Sequence, residues 1–294
     1  MNVSDGLKRK IETSVERLRT FEPEEGYYLA FSGGKDSVVI KALADMAGVK
    51  YDAHYNVTSV DPPELVQFIK QQHPDVAFDI PHDADGKPVT MWSLILKKMV
   101  LPTPHRRFCC EYLKEQSGIG RLTVTGVRWA ESVRRSSNQG IITTNASIED
   151  GAFERCQKGN YVLMNDNASA RRTVETCYRK RKTLVNPIVD WTTTDVWQFI
   201  RAFDVPYCGL YDQGEPRLGC IGCQMASRKK RWHDFIRWPK YANAYRATIN
   251  KMLVLRRERG LETPWKTVGE VMDWWMKNPN IDGQTSLFGE EEEP

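Results

Sequence analysis

Apolar and polar positions alternate along this chain in two different ways. Residues 5–21, DGLKRKIETSVERLRTF, carry apolar side chains at helical spacing and predict an amphipathic helix. The run YYLAF (27–31) predicts a buried strand, and SVVIKALADMAG (37–48) a helix stopped by Gly48. YDAHYNV (51–57) predicts a second strand, PPELVQFIKQQ (62–72) a helix with prolines in its first turn, and VAFDI (76–80) a third strand. A helix over VTMWSLILKKMV (89–100) and a fourth strand at LTVTG (122–126) continue the series. Strands alternating with helices predict an α/β fold, a doubly wound parallel sheet whose ligands sit at the carboxyl ends of the strands.

Regularity breaks after Gly140. Residues from about 141 to 182 are polar and irregular and read as an insertion or a long loop region. TLVNPIVDW (183–191) restores a strand running into a turn, and TTTDVWQFIRAF (192–203) follows as a helix, with Thr192 or Thr193 as N-cap. From Arg228 onward the chain is helical, basic and rich in tryptophan, and it closes on the acidic segment GEEEEP. The expected organisation is an α/β domain over 1–225, a helical region over 226–280 and a flexible acidic tail over 281–294.

Composition narrows the class. A hydrophobic content of 40% supports a core, and no apolar run approaches the ~20 residues of a membrane span. The start MNVSDGLKRK has no signal-peptide core, so a soluble, cytoplasmic protein without a membrane partner is expected. Seven cysteines in that setting point to reduced thiols or bound metal rather than disulfides. The net charge of +4 is too small to decide on nucleic acid.

The first candidate for chemistry is Ser32-Gly33-Gly34-Lys35-Asp36-Ser37, between the first strand and its helix. Adjacent glycines let backbone N–H groups face an anion, and the helix N-terminus adds partial positive charge. Ser32 and Ser37 offer hydroxyl donors, and Lys35 offers a counter-charge for phosphate. Asp36 fits only as an orienting group or a Mg²⁺ ligand. The spacing is not that of an ordinary P-loop.

SGGKDS resembles the PP-loop of the ATP pyrophosphatase superfamily, which implies an adenine nucleotide alpha hydrolase-like fold. TSVDPPELVQFI, TGVRWAESVRR, NPIVDWTTTDVWQFI, VPYCGLYDQG and GCIGC resemble ordered segments of the phosphoadenosine phosphosulfate (PAPS) reductase family, from about Tyr27 to Cys223. The resemblance implies nucleotide binding by Ser32–Ser37, Gly126, Arg128 and Arg134, with Arg135 a further phosphate contact. Lys35, Asp36 and Arg128 are the implied catalytic residues, and the ligand is ATP, or PAPS or adenylyl sulfate, with Mg²⁺.

Cys109-Cys110 and the pair Cys220 and Cys223 of GCIGC could bind Zn²⁺ or an iron–sulfur cluster on spacing alone. The family resemblance implies a [4Fe–4S] cluster on these four. Cys208 is an alternative ligand, by similarity to DNA phosphorothioation sulfurtransferases, while Cys156 and Cys177 fit no pattern. Arg106, Arg107 and Lys114 are expected to lower the nearby thiol pKa values. The chain departs from the reductases in having no cysteine after Cys223, where their catalytic cysteine stands in a Glu-Cys-Gly-Leu-His motif.

That departure favours an ATP-dependent sulfurtransferase: pyrophosphate leaves, and sulfur from a cluster-bound sulfide or a donor protein's persulfide displaces the adenylate. An atypical sulfonucleotide reductase is the alternative, and a non-enzymatic interaction protein with a retained nucleotide fold is the third reading. SRKKRWHDFIRWPKYANAYR interleaves basic and aromatic residues, as a DNA or RNA surface would. Aromatics packed inward on a basic helix are the competing explanation. Gln284–Phe288, QTSLF, resembles the short peptides that dock on bacterial sliding clamps.

Overall fold

A computed structural model describes residues 3–131, 140–145, 160–163 and 182–277. The chain divides into two compact units. The first comprises Met1–Val57, Pro63–Ile80 and Lys114–Leu218, and the second Thr58–Pro62, Pro81–Leu113 and Gly219–Pro294.

The first unit is built on a seven-stranded sheet of order β3-β2-β1-β4-β7-β5-β6. Strands β1 (Tyr27–Ala30), β2 (Tyr51–Asn56), β3 (Ala77–Asp79), β4 (Leu122–Val124) and β7 (Lys182–Val185) run parallel. The parallel, doubly wound expectation therefore holds for five strands. Strands β5 (Ile142–Asn145) and β6 (Asn160–Leu163) pair antiparallel to each other, and β5 pairs antiparallel to β7. They fall in the stretch expected to be an irregular insertion, because they stand among polar residues with no helix pattern between them to mark an alternation.

From β1 the chain winds outward through β2 and β3, and β4 returns on the other side of β1. The reversal lies between β1 and β4, the position where open α/β sheets hold ligands. Helix α2 (Lys35–Ala47) follows β1, and α3 (Pro63–Gln72) begins at the second of the two prolines. Helix α1 (Asp5–Thr20) buries Leu7, Ser14 and Leu18, with Ser4 as its N-cap. It is anchored to the turn after β7: Ser14 Oγ donates to Pro187 O at 2.9 Å and Arg17 Nη1 meets Asp190 Oδ1 at 2.9 Å. Helix α6 (Thr193–Ala202) is capped by Thr192: its side chain accepts from Asp195 N at 3.1 Å, and Asp195 Oδ2 accepts from Thr192 N at 2.7 Å.

The second unit contains α4 (Met91–Lys98), a single helical turn α5 (Phe108–Cys110), α7 (Arg228–Arg237), α8 (Pro239–Glu258) and α9 (Val268–Met276). Phe235, Tyr245, Ile249 and Trp275 are buried in it, and Trp275 Nε1 donates to Pro102 O at 2.8 Å. The described residues contain no helix long and apolar enough to cross a membrane.

Trp191 joins α1 to the sheet. It is fully buried, donates from Nε1 to Ser14 Oγ at 3.1 Å, and meets Phe199 edge-on at 5.6 Å. Trp191→Ala should cost roughly 3–5 kcal/mol in urea unfolding, the range for removing a large buried aromatic. A loss under about 1 kcal/mol would show that this contact does not hold α1 in place.

Candidate active site

The Ser32–Ser37 turn is shaped by close packing. Gly33 has φ +70°, and a Cβ there would lie 2.6 Å from Leu65 Cδ1 of α3. No other residue type meets both constraints without strain at this φ and displacement of the Leu65 and Ile69 side chains. Ser37 Oγ donates to Gly34 O at 2.8 Å, and Ser32 Oγ accepts from Gly34 N at 3.4 Å. Both hydroxyls thus brace the turn.

Asp36 explains why a carboxylate stands in an anion-binding turn. Its Oδ2 lies 3.0 Å from Lys35 Nζ, and its Oδ1 accepts from Arg128 Nε at 2.8 Å. The acid spaces two cations, leaving one positive charge in excess at the mouth of α2. Of its two expected roles, orientation is the one this geometry performs. Arg128 is almost wholly buried after β4 and also donates to Trp191 O at 3.2 Å and Thr193 Oγ1 at 3.4 Å. Gly126 permits the approach: a Cβ there would lie 3.0 Å from Asp36 Cβ and 3.1 Å from its backbone carbon. The structure therefore gathers Ser32, Gly33, Gly34, Lys35, Asp36, Ser37, Gly126 and Arg128 at the β1–β4 reversal. Arg134 and Arg135 lie outside the described residues.

Tyr211 is a member of this site that the sequence pattern does not single out. Gly34, the N-cap of α2, has no side chain to cap the helix, and the Tyr211 hydroxyl accepts from Lys35 N at 2.9 Å instead. Burial, with the charges of Asp36 and Cys208 adding to it, pushes the Tyr211 phenol up to about 12, so it stays neutral near pH 7. Its ring meets Trp197 edge-on at 5.2 Å, and Trp197 meets Tyr207 at 5.3 Å. Tyr207 in turn lines an open cleft of about 580 Å³ between α3 and the Asp204–Gly209 loop. The only available clue was a tyrosine two residues past Cys208-Gly209, and nothing local tied it to the turn.

Asp61 turns inward. It accepts from Thr58 N at 2.8 Å and from Thr58 Oγ1 at 2.7 Å, closing its own loop. Glu64 sits in the first turn of α3, where an acid suits the helix dipole, and it also lines the cleft.

Cys109, Cys110, Cys220 and Cys223 all belong to the second unit. The hydrogen bond with Cys110, then burial, then the charges of Cys110, Cys220 and Cys223 push the Cys109 thiol well up. All four thiols therefore share one electrostatic neighbourhood. The direction corrects the expectation that Arg106, Arg107 and Lys114 lower this thiol: the hydrogen bond with Cys110, burial and like charge dominate. Cys220 Sγ also contacts Thr58 Oγ1 at 3.5 Å.

The C-x-x-C turn is held tightly. Ile221 N donates to Val60 O at 2.8 Å, Gly222 N donates to Asp234 Oδ2 at 3.2 Å, and Gly222, with φ +72°, lies against the Phe235 ring. Among the described residues, however, no three His, Cys, Asp or Glu side chains converge as a metal-binding group. The expected ligands are neighbours without an assembled coordination sphere. Cys208, the alternative ligand, belongs to the first unit, where it is buried and its charge acts on Tyr211.

Residues 26–226 match the family described as the phosphoadenosine phosphosulfate reductase domain. The chain belongs to the PAPS reductase family. Among curated relatives, it is 23% identical over 255 residues to an adenosine 5'-phosphosulfate reductase of Staphylococcus haemolyticus, spanning 80% of this chain and 87% of that protein. It is 28% identical over 221 residues to the Pseudomonas aeruginosa enzyme of the same name, spanning 70% and 71%. A Candida auris PAPS reductase structure covers 75% of this chain and 97% of its own at 14% identity, with a TM-score of 0.41. Membership makes this an enzyme of the PP-loop, sulfonucleotide-reductase type. The PAPS reductase match takes in the PP-loop, Arg128, Tyr211 and all four cysteines, and stops just before α7.

Two substitutions test this geometry. Gly126→Ala forces a methyl against the Asp36 backbone and should weaken inorganic pyrophosphate binding by calorimetry at least tenfold without unfolding the protein. Unchanged affinity would separate Gly126 from the site. Tyr211→Phe removes the oxygen that competes for Lys35 N–H and should tighten pyrophosphate binding roughly two- to tenfold, the worth of one hydrogen bond. Weaker binding would instead make the hydroxyl a ligand contact.

Proposed function

We propose that the protein is an ATP-dependent sulfurtransferase of the PAPS reductase family. ATP places its pyrophosphate at Ser32–Ser37, and an acceptor oxygen attacks the α-phosphorus and expels pyrophosphate. The outer sulfur of a donor protein's persulfide then displaces AMP, the resulting disulfide being cleaved by a reducing thiol. The observation that carries the reading is the Lys35–Asp36–Arg128 arrangement, two fixed cations around one carboxylate beside a helix N-terminus. Such preorganised charge stabilises a leaving pyrophosphate at no reorganisation cost during reaction. Mg²⁺ bound by the phosphates would add to that neutralisation.

The four thiols of the second unit are the residues that would hold a [4Fe–4S] cluster, and their shared neighbourhood supports that assignment. When bound, the cluster supplies redox or sulfide-binding chemistry. Asp234, Arg231 and Tyr245 would keep the turn in place beneath it: Arg231 Nη1 donates to Gln224 Oε1 at 2.7 Å, and Tyr245 OH donates to Ile221 O at 3.4 Å.

A second reading, turnover of PAPS or adenylyl sulfate by reduction, is favoured by the adenosine 5'-phosphosulfate reductase relatives. Residues 224–294 contain no cysteine, so the nucleophile of that reading would have to come from elsewhere than this stretch. Nucleic acid is the candidate sulfur acceptor. The clamp-like segment Gln284–Phe288 lies outside the described residues.

Anaerobic incubation with ATP, adenylyl sulfate and PAPS, followed by chromatography of the products, separates the two. The expected products are AMP and pyrophosphate from ATP. Sulfite from a sulfonucleotide, with ATP untouched, would establish the reductase. In the same preparations, Cys220→Ser and Cys223→Ser should each lose bound iron and its visible absorbance while retaining pyrophosphate binding. Iron content equal to the parent protein would remove the cluster from these residues.

A further inference from the structure

From Met225 to Arg257 the chain holds ten lysines and arginines against one acidic residue, Asp234. That aspartate is buried and already engaged by Gly222 N and the Lys230 ammonium. A chain of net charge +4 therefore concentrates an excess of positive charge on two consecutive helices of the second unit.

The sides of α7 divide by burial. Arg231, Asp234 and Phe235 point inward and support the C-x-x-C turn and α9. Trp238, just past its end, and Tyr245 on α8 are also buried, so the inward-packing explanation accounts for most of the aromatics in this segment. It does not account for Trp232. Arg228, Lys229, Trp232 and Ile236 recur at three- and four-residue spacing and are all exposed, with Trp232 at 45% and Ile236 at 77%. Met225, 60% exposed, precedes the stripe, and on α8 Lys240 and Lys251 are exposed on one side, with Arg246 exposed on another.

We infer that the outer face of α7, continued by α8, is a binding surface for single-stranded nucleic acid. Phosphates spaced along a strand meet Arg228, Lys229 and Lys240, and an unpaired base stacks on the exposed indole of Trp232. The charge pattern selects a polyanion, and the exposed indole selects among polyanions. A duplex keeps its bases stacked on one another and leaves Trp232 and Ile236 without partners. Use of the bound strand as sulfur acceptor rests on the reading above. Binding itself is measured without turnover, so either can fail alone.

The test is fluorescence anisotropy of the full chain with labelled 20-nucleotide single strands of DNA and of RNA, and the matching duplex, over a salt series. Single strands of one or both sugars should bind more tightly than duplex, with a log affinity–log salt slope near −2, about −0.7 for each of three phosphate contacts. Trp232→Ala should weaken single-strand binding roughly tenfold or more and leave the slope unchanged, while Trp232→Phe retains most of the affinity. Arg228→Gln with Lys229→Gln should flatten the slope instead. Urea unfolding transitions equal to the parent's, together with unaltered pyrophosphate binding, confirm that all three variants fold. Duplex preference, a salt-independent affinity, full binding by Trp232→Ala, or equal competition by polyglutamate or anionic vesicles would each overturn the inference.

Discussion

Two bonds to the Asp36 carboxylate tie the start of α2 to the segment after β4. Lys35 and Arg128 would repel one another at this separation, and Arg128 is too deeply buried to be solvated by water. Removing one partner of a buried pair leaves the other charge uncompensated, a larger loss than the pair itself contributes. The carboxylate therefore decides where both cations stand. It also fixes the crevice, because Arg128 reaches Trp191 and Thr193 from the same position and so joins the β4 edge to the entry of α6. Gly126 is the steric condition for this arrangement, and Gly33 is the matching condition on the α3 side.

The second unit follows a different logic. Its cysteines sit in surroundings that disfavour charge: Tyr245 is fully buried, and the Cys109 thiol is driven toward its neutral form by its neighbours. A thiol so placed holds its proton tightly in the absence of a countercharge, and a multivalent cationic centre would supply such a countercharge. Buried Asp234 and Arg231 hold the C-x-x-C turn from behind, Asp234 through Gly222 N and Arg231 through Gln224, and the charge of Cys223 acts on Arg231.

Much of this was legible in the sequence for physical reasons that can be named. The strand–turn–helix at Tyr27–Ala47 is encoded locally by an apolar run, two glycines and a stop at Gly48, and every PP-loop position falls where the pattern implies. Arg128 was legible because it follows a strand and a glycine. Tyr211 was not, since its contact with Lys35 spans 176 residues and leaves no periodic trace. The strands β5 and β6 were missed because they stand in a polar stretch with no helix pattern between them, so the strand–helix alternation that marked the other strands is lacking. The segment Ser227–Arg246 was ambiguous for a sound reason. Its aromatics serve both purposes, Phe235, Trp238 and Tyr245 within the core and Trp232 outside it, and helical spacing alone does not say which way a given ring faces.

The phenol of Tyr211 changes what occupancy of the turn means. Lys35 N–H already has a partner, so on the proposed reading a phosphate oxygen would enter by exchange rather than by filling a vacancy. The energy of that one bond then largely cancels between the two states, and discrimination passes to what differs between the competitors. A neutral hydroxyl cannot match a polyanion beside Lys35 and the helix dipole, yet it matches a water molecule well. The turn is thereby braced, and on the proposed reading it would yield its donor only to an oxygen that brings charge with it.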